Sequence, residues 1–357
     1  MASELRVGII GANASGGWAG EAHVPAVASL PGMTLAAVAT NSRKTADEAA
    51  RAYGVAKAYD SGLALIGDPD IDVVTVATRV PDHRDLLLAA IASGKHVYSE
   101  WPLGRGTAEA SEIAKAADAA GVRNAIGLQL RGSPAVGQAR EMIASGALGR
   151  ILSLSALSTT MGFGPDVPPQ FAYLEDPDAF ANMVTIQGAH TLDLLLALGG
   201  DIERFAVLGS RQFPEISMGE PRMPQRRVTF DHLFAQGRFV SDVPFAMEVA
   251  GGRTKDTPFH LDIVGEAGIL RLDGGAPRGL QAGRVGLLRD GVRLPVDEGE
   301  RVGLSDGALN VAGVYAALRD DIVHGTSTAT GFAHAVRLTR LIEDALALPE
   351  GEILTVQ

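Results

Sequence analysis

VGIIGANASGGWAG, Val7–Gly20, decides how this 357-residue chain is to be read. An apolar run enters a glycine-rich loop and leaves it toward a helix. Gly11, Asn13 and Gly16 occupy the three positions of G-x-G-x-x-G, with Gly17 directly after. Small residues are needed there because backbone N–H groups and a helix N-terminus must come close to a pyrophosphate. Asn is a mild replacement for the middle glycine, being the other residue that best tolerates left-handed backbone. Ala14 and Ser15 complete the loop, and Trp18, just beyond, either reaches a cofactor or staples the loop to the sheet.

Outward from this loop, Val/Ile/Ala-rich runs alternate with amphipathic stretches, the pattern of a parallel sheet with crossover helices. Strands are expected at 5–10, 35–40, 73–77, 96–99 and 124–127, and helices at 44–53, 82–93 and 108–120. After about Leu148 the pattern changes. RILSLSALSTT, RFAVLGSRQF, DHLFAQGRFV, FAMEVAGG, FHLDIVG, GILRLDG and VGLLRDGVRL are short and often end at a glycine, as in a largely antiparallel sheet with one solvated face. One helix is expected at 188–198, and GFAHAVRLTRLIEDALAL closes the chain as another. FGPDVPPQF, residues 163–171, reads as a proline-rich loop that could wall a cleft.

Composition narrows the function. The length favours two domains, and 46% apolar against 20% charged residues supplies a large core. No apolar run approaches the roughly 18 residues of a membrane span, and a strand beginning by Leu5 leaves no room for a signal peptide. A cytoplasmic protein with no membrane partner is expected. Zero cysteines remove disulfides, thiolate nucleophiles and Cys-based metal sites. A net charge of −11 repels a phosphate backbone, so no direct nucleic-acid partner is expected. The eight histidines show no metal-ligand spacing, and no metal site is expected.

The exit of the second strand bears on the cofactor. A carboxylate about 20 residues past the glycines would hold the ribose of NAD, whereas hydroxyl and cation suit the 2′-phosphate of NADP. Here Thr40, Asn41, Ser42, Arg43 and Lys44 precede the first acid, Asp47, which favours NADP slightly over NAD. The alternative is that Ser42 caps a helix and the two cations are solvated.

TRVPDHRDLLLAAIASGKHVYSEWPLG, residues 78–104, together with GANASGGWAGEAHVPA, GLQLRGSPAVGQAREMIASGALG, VTIQGAHTLDLL, DHLFAQG and DIVGEAGILRLDG, resembles the Gfo/Idh/MocA family of glucose–fructose oxidoreductase and inositol dehydrogenase. Within it the chain looks most like the branch of the fungal galactose-regulon repressor. The resemblance implies an α/β protein: an N-terminal Rossmann dinucleotide-binding domain over 1–127, then a C-terminal α/β domain over 128–357 with a large open, mostly antiparallel sheet. The second domain would bind substrate and form the oligomer, a homodimer or homotetramer, and the final helix could pack back on the first. The nicotinamide would lie in the cleft between the domains, with a sugar-like small molecule as substrate.

The family usually carries Glu-Lys-Pro where this chain has Glu100, Trp101 and Pro102, and Asp-x-Gly-x-His where it has Ile186, Gln187, Gly188, Ala189 and His190. The resemblance therefore implies that the usual lysine and aspartate are both replaced. His190 is the matched catalytic position left to act as general acid or base, with Asp193 able to orient it or to bind substrate. Trp101 either packs the cleft wall or lies over the nicotinamide or a sugar face. Glu100 is expected near the nicotinamide ribose, and Gln129 as the cofactor-facing amide. Arg131 binds substrate or pairs structurally. Thr78, Arg79 and His83 are expected around the phosphates and ribose, His83 equally as a helix-start residue. Two functions stay open, an NAD(P)-dependent oxidoreductase, which is favoured, and a non-catalytic dinucleotide-responsive regulator.

Overall fold

Six parallel strands form the sheet that the opening loop predicts. The computed structural model describes residues 4–254, 258–349 and 352–356. It holds β1 (Leu5–Ile10), β2 (Met33–Ala39), β3 (Lys57–Tyr59), β4 (Val73–Val76), β5 (His96–Ser99) and β6 (Asn124–Ile126). Their order is β3-β2-β1-β4-β5-β6, so the connections reverse direction between β1 and β4, where a doubly wound sheet binds its ligand. All four residues of β4 are buried, which is why it reads as a continuous apolar run apart from Thr75. The helices of this part are α1 (Val24–Ser29), α2 (Arg43–Tyr53), α3 (Gly62–Ile66), α4 (His83–Ala92) and α5 (Thr107–Ala120). Strand β3, only three residues long, was not anticipated from the sequence.

The larger sheet has nine strands and a different grammar. After α6 (Pro134–Ala144) come β7 (Ile151–Thr159), β8 (Asp166–Val167), α7 (Ala189–Gly199), β9 (Ile202–Ser210), β10 (Glu215–Met218), β11 (Met223–Arg226), β12 (His232–Phe239) and β13 (Pro244–Ala250). The chain continues through β14 (Phe259–Gly265), β15 (Gly268–Gly274), β16 (Val285–Arg289) and β17 (Val292–Arg293), and a last strand β18 (Leu354–Thr355) joins the edge. The order is β17-β16-β15-β14-β7-β13-β12-β9-β18, antiparallel throughout except where β13 runs parallel to β7. In β14 Phe259, Leu261 and Ile263 are buried while their neighbours are half-exposed, the alternation of a sheet with one covered face. A separate small sheet, β11-β10-β8, carries part of the proline-rich segment. That segment is thus not a plain loop: it holds β8 and the start of a 3-10 stretch, Pro169–Glu175.

Two helices remain, α8 (Asp306–His324) and α9 (Phe332–Ala347). By internal contacts one compact unit holds the chain up to Gly132 together with Glu298–Arg337, and the other holds Ser133–Asp297 and the chain from Leu338 on. A single division after residue 127 therefore misses a return of the chain to the first unit. The returning helix is α8, which the sequence reading did not identify, while α9, the expected closing helix, is shared between the units. Helix α8 lies backbone against backbone on the turn after β6. A Cβ on Gly132 would stand 2.7 Å from the Asn310 carbonyl oxygen, and one on Gly313 would collide with the Gly132 carbonyl.

Candidate functional site

The candidate residues of the first unit all follow the C-terminal ends of its strands. After β1 the loop turns through three positive-φ glycines, Gly11 (94°), Gly16 (122°) and Gly17 (115°). Gly11 is pinned from below: a Cβ there would be 2.5 Å from the Ala77 carbonyl oxygen. Gly16 and Gly17 face open space, and Ala14 to Gly17 are exposed. Such a bare, upward-facing backbone leading into a helix fits the pyrophosphate of a dinucleotide. Asn13 does not use its tolerance of left-handed backbone, since it is not among the positive-φ residues. Its side-chain oxygen instead accepts from the Ser15 amide (3.1 Å) and hydroxyl (3.0 Å), a local turn that shapes the loop. Tyr53 of α2 braces the same loop by donating to the Asn13 carbonyl at 2.7 Å, over Gly20, where a Cβ would strike the phenol oxygen. Trp18 is half-buried against the core, its ring edge-on to His23 at 6.5 Å, in keeping with a staple.

The exit of β2 has the alternative arrangement named above. The Ser42 hydroxyl caps α2 by accepting from the Thr45 amide at 3.3 Å, and Thr40 hydrogen-bonds the Thr45 hydroxyl at 2.7 Å. Arg43 is exposed, pairs with Asp47 one turn on, and donates to the Ala58 carbonyl at 2.8 Å. Hydroxyl and cation are present, but both have protein partners.

After β4, Arg79 is exposed and Thr78 is half-buried. His83 lies deep, its Nδ1 2.8 Å from the Pro102 carbonyl and its Nε2 3.1 Å from that of Thr78. Burial pushes its pKa below the usual histidine value against the pull of those carbonyls, so the neutral ring donates to one of the two. His83 therefore ties the β4 exit to the Glu100–Pro102 turn from beneath, the helix-start reading. Trp101, whose bond to Pro102 is cis, is 6% exposed, and that burial supports the packing reading.

Glu100 and Gln129 come together. The Gln129 side-chain amide donates to both Glu100 oxygens, at 3.0 and 2.8 Å, and Glu100 Oε1 also lies 3.1 Å from Nε2 of His23. The other His23 nitrogen is 2.9 Å from the Tyr315 hydroxyl, which is 2.7 Å from that of Thr75. His23, Thr75 and Tyr315 are fully buried. The sequence reading missed His23, Thr75 and Tyr315. His23 sits in the GEAHVPA stretch at the end of a π-helical turn, Ala19–His23, and its signal was a histidine among small apolar residues. Two buried acceptors, Thr78 Oγ1 and Gln129 Oε1, have no hydrogen-bond partner among the described residues. Orphaned oxygens after β4 and β6 suit a nucleotide over that half of the sheet. Arg131 is 3.2 Å from Nε2 of His334 at the start of α9.

In the second unit, His190 and Asp193 are both buried on α7, one turn apart. A π-helical turn, Val184–Gly188, leads into the helix and carries Ile186, and Thr191 fastens the junction by donating to the Gln187 carbonyl at 2.8 Å. The proline-rich segment is held by Arg227, which is fully buried. Its guanidinium forks onto Glu175 (3.0 and 2.7 Å), reaches Asp231 (2.7 Å), and donates to the carbonyls of Phe163 and Gly164 (both 2.8 Å). All five donors are used. Among the described residues no group of three or more His, Asp or Glu could hold a metal ion. No described helix is long and apolar enough to cross a membrane.

Sheet order and loop together define a dinucleotide-binding Rossmann protein with a second, mostly antiparallel unit. Residues 5–128 match the model of the oxidoreductase family with an NAD-binding Rossmann fold, and residues 134–274 match the Gal80p C-terminal domain. The chain is 31% identical over 289 residues to dehydrogenase aclE of Aspergillus oryzae, covering 77% of this chain and 78% of that one. It is 28% identical over 295 residues to the galactose/lactose metabolism regulatory protein GAL80 of Saccharomyces cerevisiae, covering 77% and 68%. A solved structure of levoglucosan dehydrogenase in complex with NADH and L-sorbose superposes with a TM-score of 0.83 at 22% identity, over 96% of each chain. The chain belongs to the Gfo/Idh/MocA oxidoreductase family.

Proposed function

We propose that the chain is an NAD(P)-dependent oxidoreductase acting on a sugar, a polyol or a related carbonyl compound. The observation that carries this reading is the open glycine loop at the first turn of the β3-β2-β1-β4-β5-β6 sheet. A bound dinucleotide would supply or accept hydride. The backbone from Gly11 to Gly17 holds its pyrophosphate, and Thr78, Glu100 and Gln129 line the half over β4 to β6. His190 moves the proton at the substrate oxygen, because an imidazole titrates nearest to neutral pH, and Asp193 orients the ring or binds substrate. Arg131 and Trp101 shape the substrate pocket.

Both dinucleotides fit, with NADP slightly ahead. The Arg43–Asp47 pair is exposed and screened by solvent, so a 2′-phosphate displaces Asp47 at little cost. The NADH bound to levoglucosan dehydrogenase supports use of NAD. A homo-oligomer, dimer or tetramer, is supported by the outer face of the large sheet. Leu208 and Phe234, register partners on β9 and β12, are each 45% exposed there. Sedimentation of the purified protein checks it.

A second reading is a non-catalytic, dinucleotide-responsive regulator. Trp101 and Ile186 stand where the family has its lysine and aspartate, and a general acid or base typically contributes about a hundredfold to ten-thousandfold. The relative GAL80 is a regulatory protein. Purified protein given NADH or NADPH with a panel of keto-sugars separates the two. Turnover that His190→Ala lowers by about a hundredfold or more supports the enzyme. Micromolar cofactor binding with no turnover on any substrate supports the regulator, and an activity untouched by His190→Ala removes the role given to His190.

A further inference from the structure

The carboxylate of Glu100 is surrounded by donors. Gln129 must present its NH2 group, since its oxygen would repel the carboxylate, and His23 must present Nε2–H. When the ring is neutral, its other nitrogen, Nδ1, accepts from the Tyr315 hydroxyl, whose oxygen accepts from Thr75. With that neutral ring, every proton in the chain Thr75, Tyr315, His23 points toward Glu100. Burial raises the Tyr315 phenol far above its usual range, which keeps that proton in place. Gly127 makes the position possible, because a Cβ there would collide with Glu100 Oε1. Among the described residues the side chains bonded to the carboxylate are His23 and Gln129, with Tyr98, Tyr315 and His83 near enough to feel its charge, and none of the five is a permanent cation. The next residue is Trp101, where the resembled family has a lysine.

Glu100 follows β5, on the side of the switch point away from β2 and β3. The β2 exit reads the adenosine ribose, so the nicotinamide nucleotide belongs over β4 to β6. The oxidised nicotinamide ring carries a positive charge and the reduced ring is neutral. We propose that the uncompensated Glu100 carboxylate makes this site select the oxidised dinucleotide over the reduced one. The inference rests on the dinucleotide binding proposed above, and it holds whether the protein turns over a substrate or only responds to the cofactor. One unit charge acting across several ångströms of a partly buried site corresponds to a preference of about tenfold.

Isothermal titration of the purified protein with NAD+, NADH, NADP+ and NADPH tests it. The expected result is oxidised binding about tenfold tighter than reduced for the same dinucleotide. Glu100→Gln, which keeps the shape and one acceptor oxygen for His23 and Gln129 while removing the charge, should bring the ratio to about one. Trp101→Lys, which sets a cation beside the carboxylate, should do the same by a different route and serves if Glu100→Gln fails to fold. Equal affinities in the unaltered protein, tighter binding of the reduced form, or a ratio unchanged in a folded Glu100→Gln each overturn the inference while leaving dinucleotide binding intact. Binding of none of the four overturns the proposed function, and the inference with it.

Discussion

Gly11 and Gly16 are both loop glycines with positive φ, yet they bear different loads. Gly11 combines a φ of 94° with the Ala77 carbonyl 2.5 Å from any added Cβ, so both backbone and neighbour oppose a side chain. Gly16 has the strained backbone alone. Gly11→Ala should therefore cost about 2–3 kcal/mol, and Gly16→Ala about 1 kcal/mol. Denaturant melts of the two variants check this, and equal losses would contradict it. The glycines were legible because a loop that approaches phosphate tolerates few other residues. The inner chain of His23, Tyr315 and Thr75 was not. Its members lie 292 and 240 positions apart, a juxtaposition that no local pattern encodes.

At the level of elements, the proline-rich segment and α8 show opposite limits of local reading. The segment is held by a distant residue: Arg227 grips the carbonyls of Phe163 and Gly164 while neutralising Glu175 and Asp231. Phe163 has a φ of 62°, unusual for a bulky residue, and its carbonyl is one that Arg227 holds. Removing one partner of a buried ion pair leaves an uncompensated charge, so Arg227→Met should cost about 3–5 kcal/mol. Urea unfolding would measure that loss, and one below about 1 kcal/mol would mean the carboxylates find other partners. Helix α8 was overlooked because it is buried on several sides. From Gly307 to Ala312 every residue is buried, so no amphipathic period marks it. By contrast α2, with one solvated face, a serine cap and Gly54 at its end, announces itself.

The whole molecule should lose stability in acid in two stages. His83 and His96 are held below the usual histidine pKa, burial being the main cause in each. Each is neutral when folded, so its contribution is complete above about pH 6.5 and declines as pH falls toward the lower folded value. The second stage belongs to carboxylates. At Asp68 burial opposes ionisation, but Lys57, the Asp70 amide and Tyr59 together bring its pKa down to about 2. Asp47, Asp72, Glu112 and Asp321 are lowered as well. Carboxylates with a lowered folded pKa stabilise fully above about pH 4 and lose that contribution as pH falls toward 2. Chemical melts from pH 7 to 2 should show both declines, with His83→Gln shrinking the first and Asp68→Asn the second. Stability that rises on acidification would refute this account.

The sequence by itself determined the parallel sheet, the glycine loop and the mostly antiparallel second sheet. These follow from periodicity and from short motifs, which are local along the chain. Tertiary structure decided that α8 returns to the first unit, that Ser42 and Arg43 already have partners, and that Glu100 collects donors from His23 and Gln129. Each of those depends on which distant side chains share a buried space, where an unpaired polar group is costly, and that is settled only when the chain has folded.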